Sequence, residues 1–205
     1  MSLFRKIFIM LVLLGAAQAY AAGKEYKVLN PAQPVSGNKI EVVEFFFYEC
    51  PHCYHMHGVL SAWEKQMPKD VELKFVPVVF RESLEPMART FYALEALGQQ
   101  ERLHNALFEA WHVYRTDLSD EARITNFVAK HGVDRAKFTA AYNSFSIGSK
   151  LRRSDQMVGS FGVRGTPTIA VDGKYTISDL QPEDAIRVLN EVIEIARKER
   201  RAGKH

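Results

Sequence analysis

Ile40-Glu41-Val42-Val43-Glu44-Phe45-Phe46-Phe47-Tyr48 is apolar on both of its alternating faces from Val42 onward, with Glu44 the exception. A strand of that kind has no face to give to water, so it belongs inside a sheet covered on both sides. The run leads into Cys50-Pro51-His52-Cys53, which holds the only two cysteines of the chain. Pro51 suits the first turn of a helix, where a missing N–H costs nothing. The predicted helix continues through Tyr54, Val59, Leu60 and Trp63 and ends near Met67-Pro68. A second strand follows over Val71 to Phe80, with Pro77 marking an edge or a bend at its far end. Strand, helix, strand in that order implies a right-handed crossover and parallel pairing.

The pattern then turns helical for some sixty residues. Met87, Phe91 and Leu94 recur at helical spacing and end at Gly98, and Leu103, Leu107, Ala110 and Trp111 form a second stripe. Ser119 or Asp120 caps a third helix through Ile124, Phe127 and Val128 to Gly132, and Asp134 caps a fourth through Phe138 and Tyr142. A further helix is expected over Ile147 to Ser160. Strand character returns at Thr168 to Val171, and Asp172-Gly173 is a hairpin turn that pairs Lys174 to Ile177 with it. Pro182 opens a last amphipathic helix through Ile186, Leu189, Val192, Ile193 and Ala196. Tyr26 to Leu29 reads as a short leading strand, followed by a loop at Pro31, Pro34, Ser36 and Gly37. The expected class is therefore α/β: a mixed sheet flanked by helices, interrupted by an all-helical insertion. The expected division is 1–21 as a signal peptide, 22–82 and 147–200 as the two parts of the sheet domain, 83–146 as the insertion, and 201–205 as a basic tail.

The signal-peptide reading rests on a basic start at Arg5 and Lys6 and an apolar core from Ile7 to Leu14. The small-residue sites Ala17-Gln18-Ala19 and Ala19-Tyr20-Ala21 follow. Cleavage is expected near Ala19 or Ala21, with export to the periplasm; an uncleaved anchor is the alternative, but the apolar core falls short of the ~20 residues of a span. The chain carries 27 basic and 24 acidic side chains, and without Arg5 and Lys6 the balance is 25 to 24. That near-neutrality argues against a nucleic-acid partner. The cluster Arg197, Lys198, Arg200, Arg201 and Lys204 reads as a solvated helix end beside the negative pole of its dipole.

An exported chain keeps its disulfides, yet a disulfide between Cys50 and Cys53 would close too small a loop to act as a staple. The pair points to chemistry instead. Cys50, just ahead of the helix, is expected to be the exposed, attacking sulfur, its thiolate favoured by the first-turn amides, the dipole and a protonated His52. Cys53, one turn in, is expected to be more buried and to act as the resolving thiol. A low thiolate pKa stabilises the reduced form, which makes the disulfide oxidising. No separate cofactor is implied. The competing reading is a metal site built from Cys50, Cys53 and the nearby His52, His55 and His57. Against it, His55 and His57 lie two residues apart on a helix and face different directions, so both are expected at the solvated surface. Glu44 is expected to have its pKa raised by burial. It either serves Cys53 as a proton relay or pairs with a lysine such as Lys74 on the neighbouring strand. Gly162-Val163-Arg164-Gly165-Thr166-Pro167-Thr168 is the remaining element, a proline just before a returning strand.

Glu44-Phe45-Phe46, Cys50-Pro51-His52-Cys53-Tyr54 and Gly165-Thr166-Pro167 together resemble the DsbA family of periplasmic thiol:disulfide oxidoreductases, over nearly the whole mature chain. That resemblance implies a thioredoxin-like fold with a helical insertion. It implies that Cys50 forms the mixed disulfide with a substrate cysteine and Cys53 resolves it, with Pro51 and His52 completing the centre. It implies a cis bond at Thr166–Pro167, which sets Gly165, Thr166 and Pro167 against the dithiol as a substrate-binding loop, and it matches Glu44 to the family's buried acid. Well-known members often carry valine where this chain has Thr166. The partners implied are reduced exported proteins and, as reoxidant, a DsbB-like membrane quinone reductase, with the chain itself a monomer. A reductase or isomerase would use the same residues. A dimeric isomerase needs a dimerisation domain for which too few residues precede the first strand, and a glutathione-linked transferase on an inserted fold does not need this dithiol.

Overall fold

The computed structural model describes residues 25–203, so the signal-peptide segment and its cleavage sites lie outside the described residues. A five-stranded sheet is built from β1 (Lys27–Val28), β2 (Ile40–Phe46), β3 (Val71–Pro77), β4 (Thr168–Val171) and β5 (Tyr175–Ser178), in the order β1-β5-β4-β2-β3. β2 is buried at every residue and runs parallel to β3, while its other neighbour, β4, is antiparallel. β4 and β5 form the hairpin, and β1 adds to its outer edge. The mixed sheet is the α/β arrangement that the apolar run of β2 requires.

Seven helices are described: α1 (Pro51–Glu64), α2 (Glu85–Ala96), α3 (Gln100–His112), α4 (Glu121–Lys130), α5 (Arg135–Tyr142), α6 (Phe145–Ser160) and α7 (Pro182–Arg201). α1 and α7 cover one face of the sheet, where Leu60, Trp63, Val188, Leu189 and Val192 pack on Ile40 and Val42. On the other face Val43, Phe45, Val76 and Ala170 meet Phe161 and Val163, just beyond α6. The largest core lies within the helical block and reaches Phe46, Tyr48, Cys50 and Cys53, so the block packs against the end of β2 that carries the dithiol.

Local chemistry sets the boundaries. Asp120 and Asp134 cap α4 and α5 by accepting the backbone N–H groups of Arg123 and Lys137 at 2.9 and 2.8 Å. Of the two candidate caps for α4, Asp120 is the one used. β3 stops at Pro77, short of the expected Phe80, because proline has no N–H for the ladder; Val78 contributes one more bond, to the Phe46 carbonyl at 2.7 Å. At the hairpin, Asp172 (φ 53°) and Gly173 (φ 67°) both adopt left-handed backbone. A β-carbon on Gly173 would stand 2.1 Å from the Gln33 carbonyl oxygen, so the turn requires glycine there.

The basic end of α7 is more tightly held than a solvated terminus. Arg197 forms a two-pronged pair with Asp70 at 2.6 and 2.9 Å, and Arg200 grips the buried Asp172 at 2.5 and 2.8 Å. These residues tie the last helix to the loop before β3 and to the hairpin turn. No described helix is long and apolar enough to cross a membrane.

Candidate active site

The site begins where β2 ends. Phe47, Tyr48 and Glu49 turn the chain out of the sheet, and Cys50 becomes the N-cap of α1 with Pro51 as first helical residue. The Cys50 sulfur accepts the Cys53 backbone N–H at 3.4 Å, so unpaired amides of the first turn face it. On its other side the Cys50 thiol lies 3.5 Å from the Thr166 carbonyl oxygen. The Thr166–Pro167 peptide is cis, and Thr168 donates its hydroxyl to the Gly165 carbonyl at 2.8 Å, folding the loop just ahead of β4. The structure thus brings Cys50, Pro51, His52, Cys53, Thr166, Pro167 and Gly165 into one neighbourhood, although they lie more than a hundred residues apart in the chain.

The two sulfurs are unequal. Both are free thiols. Cys50 is pulled down to about 5: the Cys53 side chain donates to it, and Thr166 and the backbone amides of Cys53 and His52 add to this against the opposing cost of burial. Cys53 is pushed far above the ordinary thiol range, chiefly by burial, then by its hydrogen bond to Cys50 and the charge of Glu44. The Thr166 hydroxyl oxygen is buried with no hydrogen-bond partner, and Thr166 lowers both sulfurs.

Two expectations about accessibility are corrected. Cys50 is 5% accessible, not openly exposed, because the helical block and the Thr166 loop close around it; Cys53 is 0% accessible. His52 is the exposed member of the centre, and it is its backbone amide that reaches the Cys50 sulfur. His55 is at the surface as expected, but His57 is 8% accessible. His57 shares the inward stripe of α1 with Cys53, Met56, Leu60 and Trp63, the three-and-four spacing of a helix face. There it stacks on Phe108 (5.0 Å between ring centres) and meets the edge of His104, and burial lowers its pKa. Among the described residues, no group of three His, Cys, Asp or Glu side chains is placed to hold a metal ion.

Glu44 is buried on β2, 1% accessible, with Oε1 unpartnered, and burial followed by the charge of Cys50 raises it to about 8. Its expected pairing with Lys74 does not form. Lys74 lies opposite Val43 in the register and bonds Glu41 at 2.5 Å and Glu72 at 2.9 Å. Side chains alternate along a strand, so Glu41 and Val43 share the Lys74 face while Glu44 points to the opposite one.

Several residues around the centre escaped sequence reasoning. Glu49, directly before Cys50, is half-buried with its Oε2 unpartnered. Its only sequence signal is a charge at the end of an apolar run. Tyr48 is held twice by α3: its hydroxyl bonds His104 Nδ1 at 2.8 Å, and its carbonyl accepts from His112 Nε2 at 2.8 Å. His112 also stacks face to face on Tyr54, at 4.9 Å. The helical insertion therefore holds the chain two residues ahead of Cys50.

Comparison with known proteins agrees with this geometry. The family model of the DSBA-like thioredoxin domain matches residues 41–189. Thiol:disulfide interchange protein DsbA of Burkholderia cepacia is 40% identical over 167 residues, 78% of this chain and 79% of that protein. The Pseudomonas aeruginosa protein of the same name is 38% identical over 195 residues, 92% and 91% of the two chains. The crystal structure of Pseudomonas aeruginosa DsbA superposes with a TM-score of 0.82 at 37% identity, covering 92% of this chain and 99% of that one. The oxidoreductase DsbA from Xylella fastidiosa gives 0.80 at 32% identity, covering 84% and 95%.

Proposed function

This chain belongs to the DSBA-like thioredoxin-domain family and is a thiol:disulfide oxidoreductase, and from that premise we propose that it works as an oxidant, donating the Cys50–Cys53 disulfide to reduced proteins. The observation that carries the direction is the inequality of the two sulfurs. A thiol lowered to about 5 leaves readily and stabilises the reduced form, so its disulfide is poised to be given away.

A substrate thiolate attacks Cys50, the Cys50–Cys53 bond breaks, and Cys53 leaves and takes up a proton. Glu44, raised to about 8 and exerting its charge on Cys53, is the group that delivers it. A second substrate thiolate then attacks the mixed disulfide, forming the substrate's disulfide and releasing Cys50 as a thiolate. Pro51 opens the helix whose amides hold that thiolate, and the backbone amide of His52 is one of those that reach it. Gly165, Thr166 and Pro167 form the ledge along which an extended substrate lies. The redox-active disulfide is itself the only cofactor this chemistry needs.

The setting that suits this chemistry is the periplasm, reached through the leader at 1–21, with reduced exported proteins as substrates. A DsbB-like membrane quinone reductase restores the disulfide of the monomeric protein. Cys50→Ser is expected to abolish oxidation of a reduced, unfolded substrate. Cys53→Ala, loaded beforehand as the mixed disulfide of Cys50 with glutathione, is expected to form a lasting covalent complex with a single-cysteine substrate as glutathione leaves. Normal turnover by the Cys50→Ser protein would sink the reading.

A further inference from the structure

Glu49 has no part in that scheme, yet it adjoins Cys50 in the chain. Its carboxyl is half-buried at the exit of β2, and Oε2 is cut off from both solvent and any hydrogen-bond partner. A carboxylate oxygen left in that state is costly, and the cost grows when a second negative charge appears beside it. The charged and titratable groups that act on it are few. Arg81, exposed beyond β3, favours its ionised form; the Cys50 thiolate opposes it; the buried phenol of Tyr48 stays neutral. Burial, foremost, and Cys50 raise the carboxyl to about 7, against Arg81 and its own backbone amide. Glu44 lies behind the pair, feeling the charge of Cys50 and exerting its own on Cys53, whereas Glu49 is coupled to Cys50.

We propose that Glu49 is the proton partner of Cys50, taking up a proton when reduction of the disulfide places negative charge on the Cys50 sulfur and giving it back when the disulfide re-forms. The inference rests on Cys50 and Cys53 being the redox couple. The balance closes on the protein: the two substrate thiols lose two electrons and two protons, and the Cys50–Cys53 bond takes the electrons. One proton reaches Cys53 by way of Glu44, which is reprotonated and ends as it began, and the other goes to Glu49, leaving Cys50 as a thiolate beside a neutral carboxyl. The negative charge lost from Glu49 is the one that would otherwise repel the thiolate.

Linkage makes this measurable. Each proton taken up per two electrons makes the reduction constant fall about tenfold per pH unit. The full-length mature protein and Glu49→Gln are to be equilibrated with glutathione buffers from about pH 5.5 to about pH 8, the span on either side of an elevated carboxyl. The two constants should converge at the acid end, where Glu49 is protonated in both redox states. Towards the alkaline end Glu49→Gln should become the stronger oxidant, by several-fold, with the shallower pH dependence. Equal slopes, whether superposed or offset by a constant factor, would overturn the inference while leaving the couple intact. If neither protein exchanges disulfides with glutathione, it is the underlying redox assignment that fails. A reading that needs no variant is the site-resolved carboxyl carbon shift of Glu49 in the unsubstituted protein. Its titration midpoint should lie higher in the reduced protein than in the oxidised one; identical midpoints would also overturn the inference.

Discussion

At the residue scale, the chemistry depends on groups whose ordinary acidities are displaced by burial and by a few hydrogen bonds. Thr166 illustrates the second cause. Its hydroxyl, buried and unpartnered, is free to turn toward the Cys50 thiolate, so Thr166→Val should raise the Cys50 pKa and make the couple less oxidising, by up to about tenfold. Ultraviolet titration of the thiolate reads the shift directly, and an unchanged midpoint would show that the hydroxyl is idle. Glu44 illustrates the first cause. Raised from 4.5 to about 8, it keeps in the folded protein a proton that the unfolded chain has shed. Stability of the reduced protein should therefore fall as pH rises between those values, and Glu44→Gln should remove much of that fall, gaining roughly 2–4 kcal/mol near pH 8 and little near pH 4. Denaturant unfolding of the two proteins across that range checks the sign; a parallel decline in both would contradict it.

At the element scale, the hairpin turn gives the plainest stability test. Gly173→Ala places a β-carbon against the Gln33 carbonyl in left-handed backbone, and should cost roughly 2–4 kcal/mol in denaturant unfolding with the redox potential little changed. This turn was readable from Asp172-Gly173, as β2 was from its two apolar faces and α1 from Pro51. What one sequence conceals is which side of an element meets which neighbour. Lys74 goes to Glu41 because strand parity puts them on one face, and that parity depends on a register set by contacts across the whole sheet. His57 counts as a surface residue when compared only with His55. It becomes a core residue once the inward stripe of α1 is known to meet Phe108 and His104 of the insertion. The joining of Thr166 to Cys50 was legible only through the family resemblance of Gly165-Thr166-Pro167, since the ledge is delivered by β4 after the helical block has intervened. Sequence motifs announced the dithiol and Glu44; tertiary packing revealed Glu49 and the cover over Cys50.

At the scale of the whole molecule, acidity, redox poise and folding stability are one quantity seen three ways. Lowering Cys50 from 9.0 to about 5 stabilises the reduced folded state above the unfolded one. This stabilisation is fully present above the ordinary thiol pKa and is lost as pH falls through about 5. Near pH 7 it amounts to at most about 100-fold, or ~2.7 kcal/mol, before solvent screening reduces it. The reduced protein should accordingly unfold at higher denaturant than the oxidised one, against the usual expectation that a disulfide stabilises. The most direct test is equilibrium with glutathione near neutral pH. A disulfide donor should stay largely reduced even when oxidised glutathione is in large excess over the thiol. A protein that holds its Cys50–Cys53 disulfide until the buffer becomes strongly reducing would contradict the account.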